Sequence, residues 1–335
     1  MDSLPIRWQE SLPGSGNAVT SVLVNQDGVY VGSNGYIYLL DPSTGTITAS
    51  NGLSGYGNHE VRLATPPSTS LLLIGISGWV LGLDPDSLRT RWAKGLPNCG
   101  HEVVSLIATS DTVFAGSNGY VYRLDLASGT LQATNPLPGY GNHETRVAIS
   151  SSLATLFVGI NGHAIGLDPS DLNILWNNDL SGSGNGITSV IAHNNAAYVG
   201  YHGRVYRLDE AKGDLLNRND LSGRGDGEVR FAVDETGAYL YVGTNGYGAC
   251  LQSDDLDITY SVSLPGSGFS ITDVVDGNEV AYFANNGFVF EIDLKGKVVK
   301  SSSLPGLGRH EVRLGVNADT LLAVGINGHC VGLGL

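Results

Sequence analysis

Trp8, Trp92 and Trp176, with Tyr260 in the fourth place, recur at intervals of 84 residues, and Leu4, Leu88, Leu172 and Leu256 keep the same step. Four copies of one unit must solve the same local packing problem four times, so the chain is read as a repeat architecture. The Leu4-to-Trp8 run closes a unit yet stands at the start of the chain. That phase predicts a closed ring in which the N-terminal strand completes the last copy.

Each unit divides again at a recurring Leu-Pro-Gly or Leu-Ser-Gly into two similar halves. Eight modules result, near 11–51, 52–94, 95–135, 136–178, 179–219, 220–262, 263–302, and 303–335 joined by 1–10. Within the first, Thr20 to Val24, Val29 to Gly32, Tyr36 to Leu40 and Thr46 to Ala49 are β-branched or aromatic runs separated by turn residues. Asn34-Gly35 between two such runs is a hairpin signal, because both central residues of a tight hairpin turn need positive φ. Helical periodicity is absent, and the 47 glycines among 335 residues fall at fixed offsets. Modules of 40 to 50 residues with four strands each predict propeller blades. The expected fold is all-β, an eight-bladed β-propeller of four-stranded blades closed by the N-terminal strand in the last blade. No linker or composition shift interrupts the repeats, so one domain spanning 1–335 is expected.

Charge narrows the partners. The formal net charge is −14, with 32 acidic against 18 basic residues and no basic cluster. Neutralising phosphates requires gathered Lys and Arg side chains, so no nucleic-acid partner is expected. No apolar run approaches the ~18 residues of a membrane span, and Met1-Asp2-Ser3-Leu4-Pro5 lacks the features of a secretory signal, so a soluble cytoplasmic protein with no membrane insertion is expected. Cys99, Cys250 and Cys330 are an odd, widely spaced set that suggests neither a disulfide framework nor a zinc site.

The run from Val29 to Gly45, Val-Tyr-Val-Gly-Ser-Asn-Gly-Tyr-Ile-Tyr-Leu-Leu-Asp-Pro-Ser-Thr-Gly, resembles the repeat of the PQQ-like, or quinoprotein-type, β-propeller superfamily. Similar stretches recur at Val113 to Gly129 and Ala197 to Gly213, and Leu83 to Trp92 and Leu167 to Trp176 match the Asp-to-Trp ending of that repeat. The resemblance covers essentially the whole chain and implies the fold. It does not fix the function, since the superfamily holds quinone-dependent alcohol dehydrogenases as well as cofactor-free scaffolds and binding proteins. Its dehydrogenases are longer and carry an adjacent-cysteine disulfide and a central calcium-binding set of Glu, Asn and Asp. This chain has no adjacent cysteines and no set that matches, so a non-dehydrogenase member without cofactor is expected.

With strand a innermost and d outermost, the d-to-a and b-to-c connections of a blade lie at one end, conventionally the top. His59, His101, His143 and His310 fall in d-to-a segments, His163, His202 and His329 in or beside b-to-c turns, and only His193 elsewhere. The densest motif recurs in alternate blades: Asn58-His59-Glu60-Val61-Arg62, Asn142-His143-Glu144-Thr145-Arg146, Asp226-Gly227-Glu228-Val229-Arg230 and Arg309-His310-Glu311-Val312-Arg313. Glu and Arg two apart on a strand point to one side. Two readings stay open: a structural pair satisfied by the neighbouring blade, or donors and acceptors for a polar ligand lodged between blades. His59 and Glu60, adjacent on a presumed strand, point oppositely, which argues against a metal site. A second set follows each turn glycine or its equivalent: Tyr36, Trp79, Tyr120, His163, Arg204, Tyr247, Phe288 and His329. Flat rings suit sugar recognition, and they also pack well between blades. Asp41-Pro42, Asp84-Pro85 and Asp168-Pro169 are assigned to structural c-to-d turns. No nucleophile elbow, P-loop or His-Glu-x-x-His motif is present.

Three functional classes follow. The leading expectation is a multivalent binding protein, a lectin for glycans or small polar ligands on the top face, since near-identical modules repeat one constellation. The alternatives are a single-site lyase, isomerase or cyclase at the mouth of the central channel, using Glu, His and Arg, and a scaffold that binds a protein partner.

Overall fold

The computed structural model describes residues 2–67, 70–180, 186–266, 268, 270–309, 311–317 and 320–335. All regular elements among the described residues are β-strands, arranged as eight four-stranded antiparallel sheets. The fold class is that of an eight-bladed all-β propeller, with strands a to d in each blade. Blades 1 to 7 run over 20–52, 62–95, 105–135, 146–179, 189–219, 229–263 and 273–303. Blade 8 runs over 313–334 and takes its outer strand, β1 (Ile6–Ser11), from the other end of the chain. Among the described residues no helix is long and apolar enough to cross a membrane.

The closing strand pairs as its phase requires. Ile6 lies opposite Leu333, Trp8 opposite Gly332 and Ser11 opposite His329. The first blade has strands Thr20–Val24, Val29–Ser33, Tyr36–Leu40 and Ile47–Gly52. Its outer strand therefore runs past Ala49, where the sequence reading stopped, because Gly52 pairs with Tyr36 and its bare Cα lies under the tyrosine ring.

All eight b-to-c turns carry two successive residues at positive φ. Asn34 and Gly35 have 47° and 80°, and the pattern repeats at Asn118-Gly119, Asn161-Gly162, Asn245-Gly246, Asn286-Gly287 and Asn327-Gly328. Asn tolerates this region through its short polar side chain and Gly through its lack of Cβ. Ser77 and His202 occupy the Asn position in the other two turns. The c-to-d turns are held by aspartates, as expected: Asp41 Oδ1 accepts from the backbone N–H groups of Ser43 and Thr44 at 2.9 and 2.8 Å. The Ser43 hydroxyl and these amides hold its carboxyl down at about 2, and Asp84 and Asp168 are likewise lowered, by Ser87 and Arg91 and by Ser170.

Packing divides the chain into two compact units. One comprises Met1–Gly52, His202–Arg204 and Asn219–Leu335, and so contains blades 6, 7, 8 and 1; the other comprises Leu53–Tyr201 and Val205–Arg218, with blades 2 to 4 and most of blade 5. Inside each unit the inner strands of successive blades lie side by side, with apolar layers between the blades. Leu73, Val80, Val113 and Tyr122 fill the layer between blades 2 and 3, and Val289, Val312, Val324 and Val331 that between blades 7 and 8. Blades approach closely because strand b carries a glycine where the next inner strand passes: a Cβ on Gly116 would lie 2.4 Å from the Thr145 carbonyl oxygen. The repeated tryptophan explains two more glycines. Trp8 fits between Gly332 of its own blade and Gly45 of the next, where Cβ atoms would lie 2.2 and 2.5 Å from its ring.

Candidate functional site

The Glu/Arg motif forms buried ion-pair networks, one within each unit. Its glutamates precede the inner strands instead of lying on them: blade 2 begins with Arg62–Ala64 and blade 6 with Val229–Val233. The side-by-side geometry survives this. Arg62 Nε lies 2.7 Å from Glu60 Oε1, Arg146 Nε 2.8 Å from Glu144 Oε1 and Arg230 Nε 3.0 Å from Glu228 Oε1. The Arg62–Glu60 contact is an ion pair without hydrogen-bond alignment.

Arg62, Arg146 and Arg230 also reach beyond their own blades. Arg62 Nη2 donates to Glu144 Oε1 at 3.2 Å, spanning blade 3 to reach blade 4. Arg230 does the same in the other unit, with Nη2 2.6 Å from Glu311 Oε1. On the way its Nη1 meets Asp273 of blade 7 at 3.1 Å, while Arg146 Nη1 meets Ser189 of blade 5 at 2.7 Å. Arg313 Nη2 completes the set 2.5 Å from Glu311. Arg62 and Arg230 thus cross the neighbouring blade to reach a glutamate of the blade after it. Sequence reasoning missed Asp273 and Ser189, although Ser21, Ser105, Ser189 and Asp273 keep the 84-residue step that exposes them.

Burial sharpens the electrostatics. The Arg230 and Glu228 side chains are each 6% exposed, against 23% for Arg62. Burial alone pulls the Arg230 guanidinium down, and Glu228, Asp273 and Glu311 together push it above the usual arginine range. Such a network favours the ionised, mutually paired state of its members.

The second set of expected residues occupies the start of strand c, at the end of the blade where the d-to-a loop returns. Loop and turn are tied by backbone bonds such as Leu96 N to Gly78 O at 2.9 Å and Leu304 N to Gly287 O at 2.9 Å. Trp79 and His163 are half-buried and meet the loop tyrosines Tyr56 and Tyr140 edge-on, with ring centroids 5.1 and 5.0 Å apart. Both pairs keep the 84-residue step. In blades 1, 3 and 7 the ring stacks instead along its own strand, as Tyr36 on Tyr38, Tyr120 on Tyr122 and Phe288 on Phe290. His163 Nδ1 lies 2.7 Å from Asp179 Oδ1, where the carboxylate accepts from the Nδ1–H. His329 Nδ1 lies 3.1 Å from Ser11 Oγ, and Tyr247 is half-buried opposite Ser263.

The loop residues Asn58, His59, Asn142 and His143 are exposed, and His310 lies outside the described residues. The structure thus brings Glu60, Arg62, Glu144 and Arg146 together in one unit, and Glu228, Arg230, Glu311 and Arg313 in the other. The aromatic and histidine positions lie apart from one another, each at the start of strand c of its own blade, with Arg204 in that place in blade 5. A concavity of about 400 Å³ lies at blade 7 between Phe288 and the loop from Ser303 to Arg309. Cys99, Cys250 and Cys330 are buried and unpaired, and burial pushes the Cys250 thiol up to about 12.

No protein-family model matches the sequence, and neither does any curated protein. Solved structures do match in fold. The computationally designed Ika8 protein superposes with a TM-score of 0.77 at 19% identity, over 98% of this chain and 99% of that one. BamB from Moraxella catarrhalis gives 0.68 at 16% identity, over 99% and 100%. The quinohemoprotein alcohol dehydrogenase ADHIIG from Pseudomonas putida HK5 gives 0.72 at 10% identity, over 99% of this chain and 76% of that one. These likenesses extend over nearly the whole chain and bear out the expected fold, an all-β propeller.

Proposed function

We propose that the protein is a multivalent binding protein that takes glycans or small polar ligands at the loop ends of its blades, without a cofactor. The observation that carries this reading is the repeated half-buried ring at the start of strand c, set against a loop of small residues. A ring with one face packed and one edge toward the loop offers an apolar surface to the C–H face of a sugar, and loop amides and side chains supply directional hydrogen bonds. Copies of such a site on one polypeptide bind a multivalent surface far more tightly than any one of them alone. The Glu/Arg networks serve this function as scaffolding, since their charges are committed to one another between blades.

A second reading, a single-site enzyme, draws support from His163, whose tautomer Asp179 fixes as it would for a general base. A glycan array followed by calorimetry separates the two. Multivalent binding predicts more than one equivalent of saccharide per chain, with affinity reduced but not abolished by His163→Ala. A stoichiometry of one, or binding of no glycan, would count against it.

A further inference from the structure

We propose that the loop end of blade 7 is a binding site for a carboxylate-bearing saccharide, an inference that rests on the glycan-binding reading and assigns a ligand class to one of its sites. The b-to-c turn Asn286-Gly287 packs against the returning loop so closely that a Cβ on Gly287 would lie 2.7 Å from the Gly308 carbonyl oxygen. Phe288 stacks on Phe290 with centroids 6.2 Å apart, and the chain passes it at Gly266, whose Cβ would lie 3.7 Å from the ring. These contacts hold the ring in place beside the concavity of about 400 Å³ that it lines with Pro305, Gly306 and Arg309. That volume lies within the range of small-ligand sites, roughly 300–1,000 Å³.

The motif position of this loop is charged, and positively so. Where the corresponding loops carry Asn58, Asn142 and Asp226, this one carries Arg309. Arg309 is exposed at the cavity wall, and among the described residues no carboxylate lies within ion-pair distance of it. By contrast, the arginines of the inner networks are held by Glu60, Glu144, Glu228, Asp273 and Glu311. The chain as a whole bears a formal charge of −14 and repels anions at long range. Selection of an anionic ligand must therefore be local, and a planar guanidinium beside a flat apolar ring matches a carboxylate carried on a pyranose.

Calorimetry with a glucuronate-containing disaccharide, its neutral glucose counterpart and inorganic phosphate tests this. The wild-type chain should bind the uronate about ten-fold more tightly than the neutral sugar, in keeping with one charge-assisted contact of at least ~1.5 kcal/mol. Arg309→Gln should remove that preference. Phe288→Leu, which keeps an apolar side chain against Phe290, should weaken both sugars at this site while the far-ultraviolet circular dichroism stays as in the wild type. Equal affinity for the two sugars in the wild type, or phosphate competing as well as the uronate, overturns the ligand class and leaves the multivalent reading standing. Binding of no saccharide at all overturns both.

Discussion

At the scale of single residues, the hairpin turns show how far a repeat constrains each copy. Asn161, Asn245 and Asn327 sit at positive φ and donate their side-chain amides to the carbonyls of Tyr140, Arg224 and Leu307 at 2.7, 2.9 and 2.5 Å. Ser77 holds the same position at φ 43°, with a buried hydroxyl that has no hydrogen-bond partner among the described residues. Asn is favoured over Ser in this backbone region and its amide reaches the loop carbonyl. Ser77→Asn should therefore stabilise the protein by about 1 kcal/mol, one net hydrogen bond, read as a higher denaturation midpoint at unchanged m-value. A lower midpoint would show that blade 2 cannot accommodate the amide as blades 4, 6 and 8 do.

At the scale of elements, the inner strands are joined by charge as well as by apolar packing. Arg230 bridges three blades through Glu228, Asp273 and Glu311 and is almost wholly buried. Arg230→Met would leave three carboxylates facing one another without a counter-charge, and a loss of about 3–5 kcal/mol is expected. Arg62→Met, at a site with 23% exposure and fewer acidic partners, should cost about 1 kcal/mol, since solvent screens what remains. Urea denaturation of both variants checks the order, and equal losses would refute a difference in burial between the two networks. The Glu-x-Arg spacing was legible in the sequence because alternation along an extended chain is local. Its partners 81 and 82 residues away were not, because they depend on how far an arginine side chain reaches across the intervening blade.

At the scale of the whole molecule, the chain's two ends are joined by main-chain hydrogen bonds. The strand Ile6–Ser11 covers the outer edge of His329–Gly334, and its Trp8 Nε1 donates to the Pro42 carbonyl of the next blade at 3.0 Å. Deleting residues 1–11 should expose an unpaired strand edge and empty the slot between Gly332 and Gly45. The tryptophan alone is worth about 3–5 kcal/mol by comparison with large-to-small core substitutions, and the bare edge is an aggregation template. Thermal unfolding and light scattering should report a lower Tm and self-association, both reversed by a peptide of residues 1–11 added in trans. An unchanged Tm would mean that this strand contributes nothing to the closure.

The repeat, the blade count, the four strands per blade and the closing role of the N-terminal strand were determined by the sequence itself. Each follows from short-range rules: alternation along strands, paired positive-φ residues at hairpin turns, and a fixed phase for Trp8. Only the tertiary structure decided the longer pairings of the charged motif, because Arg62 meets Glu144 and Arg230 meets Glu311 across distances that spacing along the chain does not encode. It likewise decided how the rings at the start of strand c pack, some edge-on to a loop tyrosine and others stacked along their own strand. That choice depends on which loop residue returns beside each ring, a contact made in space between Tyr56 and Trp79 or Tyr140 and His163, distant along the chain.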